Sequence, residues 1–281
     1  MSVTKFELNE TAWCPGCGNH GILNALKSAL EELGKKPREV LLVAGIGQAA
    51  KLPQYLTANA FCGLHGRALP AAVAAKMANS SLTVIVDTGD GETYGEGGNH
   101  FLHNIRRNVD IAHFVHDNQI YGLTKGQVSP TTDACTPQSR YACNLNLPMN
   151  PLLIALAAGA TFVARGFSGD IEHLSEMMKA AIQHEGYALL DILQPCVSFN
   201  KTNTFAWYKE RVYRMEGHDS GSPDAAMKKV AEWGEKIPLG IFYQVKAPTF
   251  HQKHEVLAGG PPLIDRERDD KLVRKLCEGF V

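Results

Sequence analysis

Asp90 and Asn118 stand 28 positions apart, each just beyond a short apolar run. The first run is Leu82-Thr83-Val84-Ile85-Val86, which passes into Gly89-Asp90-Gly91. The second is Asp110-Ile111-Ala112-His113-Phe114-Val115-His116, which breaks at Asp117-Asn118. A carboxylate oxygen and an amide oxygen, completed by a backbone carbonyl and phosphate oxygens, suit Mg2+, which takes few protein ligands and several from bound phosphates. Taken singly, Asp90 could cap a following helix and Asn118 could serve a turn. As a pair at matching ends of consecutive strands, the cation reading is the stronger.

Sulfur supplies the second group of reactive side chains. Trp13-Cys14-Pro15-Gly16-Cys17-Gly18 is a C-x2-C turn, and Cys196 follows Gln194-Pro195. Such a turn lets two thiolates converge while backbone N–H groups point at the sulfurs. By itself it fits a thioredoxin-like redox pair or chance equally well. Cys62 lies just ahead of His65-Gly66-Arg67-Ala68, whereas Cys135 and Cys143, in a stretch rich in Thr, Pro, Asn and Gln, read as free thiols. Seven cysteines in an intracellular α/β chain point to metal or redox duty more than to disulfides.

The elements that must position these groups are legible. Both runs are rich in β-branched residues and nearly unbroken in hydrophobicity, as strands buried on both faces are. Val40 to Ala44 reads likewise and opens into Gly45-Ile46-Gly47-Gln48-Ala49. Thr161 to Ala164 and Ala188 to Leu193 are further strands. Helices are predicted at Gly21–Leu33, Ala68–Ala78, Gly98–Arg106, Pro151–Ala158, 170–184 and Asp224–Trp233, and Gly34 is placed to end the first. This alternation predicts an α/β fold built on one doubly wound, mostly parallel sheet. Asp90 and Asn118 then fall at its carboxyl edge, where such sheets bind ligands. The organisation expected is a domain over residues 1–200 and a C-terminal extension over 201–281, polar and charged beyond about Ala247.

Charge is nearly balanced, 28 basic residues against 29 acidic, which gives no footprint for nucleic acid or a membrane surface. Without a run of about 18 apolar residues or a signal peptide, the chain is expected to be cytoplasmic. The glycine turns lack the GxGxxG that opens a dinucleotide-binding βαβ unit, which disfavours an NAD-linked enzyme.

Five words in order, WCPGCG (13–18), HGRALP (65–70), GDGE (89–92), RRNVD (106–110) and DNQIYGLTKGQVSPTT (117–132), together resemble the β subunit of a two-subunit 2-oxoacid:ferredoxin oxidoreductase, over about residues 12 to 245. The resemblance implies the pyrophosphate-binding domain of thiamine diphosphate (ThDP) enzymes. It implies Mg2+ held by Asp90, Asn118 and the Ile120 carbonyl, and a cofactor lined by Ile46, Gly47, Gln48, Ala49, His65, Gly66, Arg67, Ala68, Gly91 and Glu92. Lys125, flanked by Leu123 and Thr124, would face the 2-oxoacid, where a cation suits a carboxylate. The activity implied is oxidative decarboxylation of a 2-oxoacid with coenzyme A, giving acyl-CoA and CO2, with electrons passed through a [4Fe-4S] cluster to ferredoxin. A larger α subunit would supply the pyrimidine-binding domain and its glutamate, and the C-terminal extension would pack on the cluster region and that partner.

One departure stands out. The family's cluster has four cysteines, and Cys14, Cys17 and Cys196 match three of them, but the fourth position is Gln48. An amide oxygen is a poor ligand for cluster iron, where thiolate is usual. Cys62 could swing in, the fourth iron could carry another ligand, a three-iron cluster could form, or no cluster at all. In the last case the chain would be a non-redox ThDP-dependent decarboxylase or ligase subunit. A non-catalytic subunit that binds a partner but no cofactor is a separate reading, which the intact Asp90, Asn118 and Lys125 speak against.

Overall fold

The first predicted helix forms, starting two residues ahead of its expected first residue, Gly21. The first helix, α1 (Asn19–Glu32), buries Ile22, Leu23, Ala25, Leu26, Ala29 and Leu30 along one stripe. Gly34 ends it in the left-handed region at φ +65°, a conformation that costs glycine little, with the Lys35 N–H closing back on the Leu30 carbonyl. A computed structural model describes residues 5–134, 136 and 144–279; Cys135 and Cys143 lie outside the described residues.

The chain then alternates: β1 (Val40–Ala44), α2 (Leu52–Tyr55), β2 (Asn59–Cys62), α3 (Ala68–Ala78), β3 (Thr83–Gly89), α4 (Gly98–Arg107), β4 (Ile111–Asp117), α5 (Pro151–Ala157), β5 (Phe162–Phe167), α6 (Ile171–Gln183) and β6 (Tyr187–Leu193). After them come α7 (Phe205–Lys209), β7 (Val212–Arg214), α8 (Pro223–Val230) and β8 (Ile237–Gln244), then three short helices, α9 (Phe250–Lys253), α10 (Glu255–Ala258) and α11 (Asp270–Glu278). The strands form one eight-stranded sheet in the order β2-β1-β3-β4-β6-β5-β8-β7. All neighbours run parallel except β5 and β8.

The doubly wound, mostly parallel sheet is as expected from sequence. One apolar cluster, on the face bearing α1, α2 and α6, includes Leu26, Tyr55, Phe114 and Met178. The other, under α3, α4, α5 and α8, includes Leu69, Phe101, Leu152 and Val230. Strand β8 pairs with β5 and brings β7 with it, so the segment past residue 200 continues the sheet of the residues before it. No described helix is long and apolar enough to cross a membrane.

The topology fixes the site. β1 has β2 on one side and β3 on the other, so the chain reverses its direction of travel across the sheet there. Loops leaving β1 and β3 diverge at such a reversal and open a crevice at the carboxyl edge. Asn108, in the left-handed region at φ 54°, ends α4 and anchors the opposite edge: its Oδ1 accepts from the Tyr187 N–H at 2.9 Å and the Thr161 hydroxyl at 2.8 Å.

Candidate functional site

Asp90 follows the last residue of β3, and Asn118 the last residue of β4, strands paired in parallel with Gly89 opposite His116. Asp90 leads into a π-helical turn, Gly91–Glu96, but makes no side-chain capping bond to it. Its carboxylate is 2% exposed, and Oδ2 accepts from the Thr131 hydroxyl at 2.7 Å. Burial pushes its pKa up to about 6, and the charge of Asp191 adds to that. A buried carboxylate surrounded by hydroxyls and another acid is short of positive charge, and a divalent cation would supply it. Asn118 does serve a turn: its Oδ1 accepts from the Ile120 N–H at 3.0 Å while Nδ2 donates to Gln194 Oε1 at 3.1 Å. An amide oxygen keeps a second lone pair for a metal. Among the described residues, no three His, Cys, Asp or Glu side chains converge on one point to hold a metal ion. Mg2+ has no need of such a cage, because phosphate oxygens and water complete its shell.

Glu92 ties the first two turns to the third. Its buried Oε2 accepts the Gly66 N–H at 2.7 Å and the Ile46 N–H at 3.3 Å. A Cβ on Gly45 would overlap that carboxylate, and one on Gly91 would overlap the Tyr121 ring, so glycine at both places permits the close approach. His65 Nδ1 stands 3.0 Å from Glu92 Oε2 and 3.3 Å from Glu96 Oε2, facing carboxylates and not a backbone carbonyl. Gly47 adopts φ +127° in the turn that carries Ile46, Gln48 and the buried Ala49. Arg67 is exposed ahead of α3, which Ala68 opens. These residues thus share the one edge that the sequence pattern assigns them.

The loop after Asn118 is closed by pairing of Tyr121 with Gln127. Leu123, Thr124 and Lys125 are exposed on it, and Lys125 sits at φ +74°. Among the described residues Lys125 forms no ion pair within the chain.

Cys14, Cys17 and Cys196 line one cavity, together with Trp13, Asn19, Gln48, Asn118, Gly122 and Gln194. Gln194 Nε2 donates to Cys17 Sγ at 3.5 Å, and the Ser198 hydroxyl to Cys14 Sγ at 3.1 Å. Burial pushes the Cys17 thiol up to about 11, with smaller contributions from Cys196 and Cys14. Three sulfurs spread around a space suit a group of several atoms better than one ion, and iron would hold them as thiolates despite burial. Cys62 ends the edge strand β2, with Sγ 3.9 Å from the Ala50 carbonyl, and is not among the cavity-lining residues.

Sequence reasoning missed the second layer. Thr131 Oγ1 lies 2.7 Å from Asp117 Oδ1 as well as from Asp90, and burial, then the charge of Asp191, pushes the Asp117 carboxyl well above the usual range. On the other face the buried His116 takes Asn19 Oδ1 on its Nδ1 at 2.9 Å and faces Asp87 at 3.6 Å. Thr131 and Asp117 both lie within the word 117–132, but their spacing marks neither as a partner of Asp90.

Residues 39–192 match the family model of the thiamine pyrophosphate enzyme C-terminal TPP-binding domain, and residues 196–259 match that of the C-terminal part of the pyruvate ferredoxin oxidoreductase beta chain. A 2-oxoacid:ferredoxin oxidoreductase subunit beta from Saccharolobus solfataricus is 45% identical over 90% of this chain and 88% of its own. A protein of the same name from a Sulfolobus species is 42% identical over 94% and 91%. Among solved structures, the 2-oxoglutarate:ferredoxin oxidoreductase from Magnetococcus marinus, with 2-oxoglutarate, coenzyme A and succinyl-CoA bound, superposes with a TM-score of 0.87 at 36% identity, covering 96% of this chain and 94% of that one.

Proposed function

This chain belongs to the β subunits of the 2-oxoacid:ferredoxin oxidoreductases, and we propose that it binds the diphosphate end of ThDP and carries electrons from it to ferredoxin. The reaction is oxidation of a 2-oxoacid with coenzyme A to acyl-CoA and CO2, releasing two electrons to two ferredoxins. One observation carries this reading: Asn118 lines the cysteine cavity and also stands at the Asp90 edge, so the cofactor crevice and the cavity share a wall.

When bound, ThDP supplies the carbanion chemistry of decarboxylation, and this chain's residues position and polarise. Asp90, Asn118 and the Ile120 carbonyl would hold Mg2+ and through it the diphosphate. Glu92 fixes both the turn carrying Ile46 and the turn carrying Gly66. Lys125, free of internal ion pairs among the described residues, would meet the carboxylate of the 2-oxoacid. Cys14, Cys17 and Cys196 would hold an iron–sulfur cluster. Residues 201–281, as a C-terminal extension, would pack on this region and on a larger α subunit that supplies the pyrimidine-binding domain and its glutamate. Within that extension the Tyr208 hydroxyl donates to Gln119 Oε1 at 3.2 Å, a contact with the loop after β4 that supports this reading.

The test is an anaerobic preparation of the complex with its α partner, assayed for iron, acid-labile sulfide and EPR before and after adding 2-oxoacid. A reduced iron–sulfur signal that grows only with ThDP and Mg2+ present supports the reading. Release of CO2 without iron or ferredoxin reduction overturns it in favour of a non-redox ThDP decarboxylase.

A further inference from the structure

We propose that the cluster site of this chain has three sulfur corners and one oxygen corner, the oxygen being Gln48 Oε1, so that the iron at that corner is exchangeable. This rests on the proposed electron route and goes further by naming how one iron is held.

The polar partners in the cavity carry the inference. Asn19 Oδ1 is taken by His116, Asn118 Oδ1 by the Ile120 N–H, Gln194 Oε1 by the Asn118 amide, and the Ser198 hydroxyl by Cys14. Gln48 Oε1 is buried with no hydrogen-bond partner. Buried amide oxygens are nearly always paired, so an orphan on a residue that lines the same cavity as three cysteines marks a ligand's place. Gln48 is also well placed. A Cβ on Gly122 would lie 3.7 Å from Gln48 Cγ and 3.9 Å from Cys196 Sγ, which puts the two side chains on the same wall. The Trp13 indole N–H holds the Gln48 carbonyl at 2.8 Å and so fixes its backbone against the C-x2-C turn. Among the described residues no fourth cysteine lines the cavity, and Cys62 contacts the Ala50 carbonyl on the edge strand.

Amide oxygen is a hard, weak donor to iron that prefers thiolate. The iron at the Gln48 corner is therefore the first to leave on oxidation: [4Fe-4S]2+ gives [3Fe-4S]+, Fe2+ and one electron, which passes to a one-electron oxidant. Reloading needs Fe2+ and an electron, and substrate oxidation supplies the electron.

The experiment treats the anaerobic holo-complex with stoichiometric ferricyanide and follows iron, sulfide and EPR. The expected result for the native chain is loss of about one iron in four with sulfide retained, an oxidised-state signal, and recovery with Fe2+ and reductant. Gln48→Cys should keep its iron through the same treatment, Gln48→Ala should lose it faster than the native chain, and Cys62→Ala should match the native chain. A native complex that keeps four irons through oxidation overturns the inference and leaves the electron route standing, and if Cys62→Ala then loses iron, Cys62 is the fourth ligand. A complex without iron in any variant overturns the electron route as well.

Discussion

The Thr131 hydroxyl stands 2.7 Å from the Asp90 carboxylate, on a loop 41 residues further along the chain. The same oxygen is 2.7 Å from Asp117, and one hydroxyl has a single proton to give. It can donate to only one of the two acids, so the other contact needs a proton from the acid itself. Burial holds Asp117 well above the usual carboxylate range and pushes the Asp90 pKa up to about 6, so two strained acids depend on this one hydroxyl. Thr131→Val should weaken Mg2+-dependent ThDP retention by about tenfold, on the scale of one hydrogen bond to a charged group. Thr131→Ser should restore it, and Asp90→Ala should abolish it. Titration of ThDP binding with Mg2+ in the assembled complex measures all three, and an unaltered affinity in Thr131→Val would remove Thr131 from the site.

Lys125→Ala should raise the Michaelis constant for the 2-oxoacid by about ten- to a hundredfold, the range of a lost charge-assisted hydrogen bond, with ThDP affinity little changed. Steady-state kinetics against direct ThDP binding separates the two. Equal effects on both would place Lys125 at the cofactor.

Glu92→Ala strips the acceptor from the Gly66 and Ile46 N–H groups and should destabilise the fold by about 2–3 kcal/mol while loosening both turns. Gly91→Ala should also destabilise, because its new methyl meets the Tyr121 ring, and Tyr121→Ala in the same chain should recover part of the loss. Denaturant unfolding of the two single variants and the double variant reads that coupling. Strict additivity would show that the two residues do not touch.

His113 gives the pH dependence. Its ring is fully buried between the Tyr187 hydroxyl at 2.6 Å and the Thr88 hydroxyl at 2.8 Å, and burial lowers its pKa to about 3. The folded ring stays neutral at pH values where the unfolded ring takes a proton. Stability is therefore full above the unfolded value near 6.5 and falls as pH drops from there toward 3, by about 1.4 kcal/mol per unit for this group. Chemical denaturation between pH 7 and 4.5 measures the slope, and His113→Gln should flatten it. An unchanged slope would assign the acid sensitivity to other groups.

Much of the sheet is written in local pattern. The runs that become β1, β3, β4, β5 and β6 are apolar on both sides because helices cover both faces, and that requirement is visible without knowing what covers them. Asp90 and Asn118 are legible for the same reason: whatever leaves a parallel strand at its carboxyl end lies at the binding edge. β2 is not legible. Its residues, Asn59-Ala60-Phe61-Cys62, are all exposed, and it is a strand only because β1 offers it a free row of backbone groups. Nor is the direction of β8, which reads as one more apolar run but pairs antiparallel with β5.

Residue types and order thus determined the strands, the edge and the family of chemistry. The tertiary structure alone decided which side chains share a proton, an N–H or a cavity. Thr131 reaches Asp90, Glu92 reaches Gly66, and Cys14, Gln48 and Cys196 meet around one space, because packing brings together segments far apart in the chain. Periodicity reports only a residue's relation to its own neighbours, and an unpartnered oxygen such as that of Gln48 exists only once every other partner has been placed.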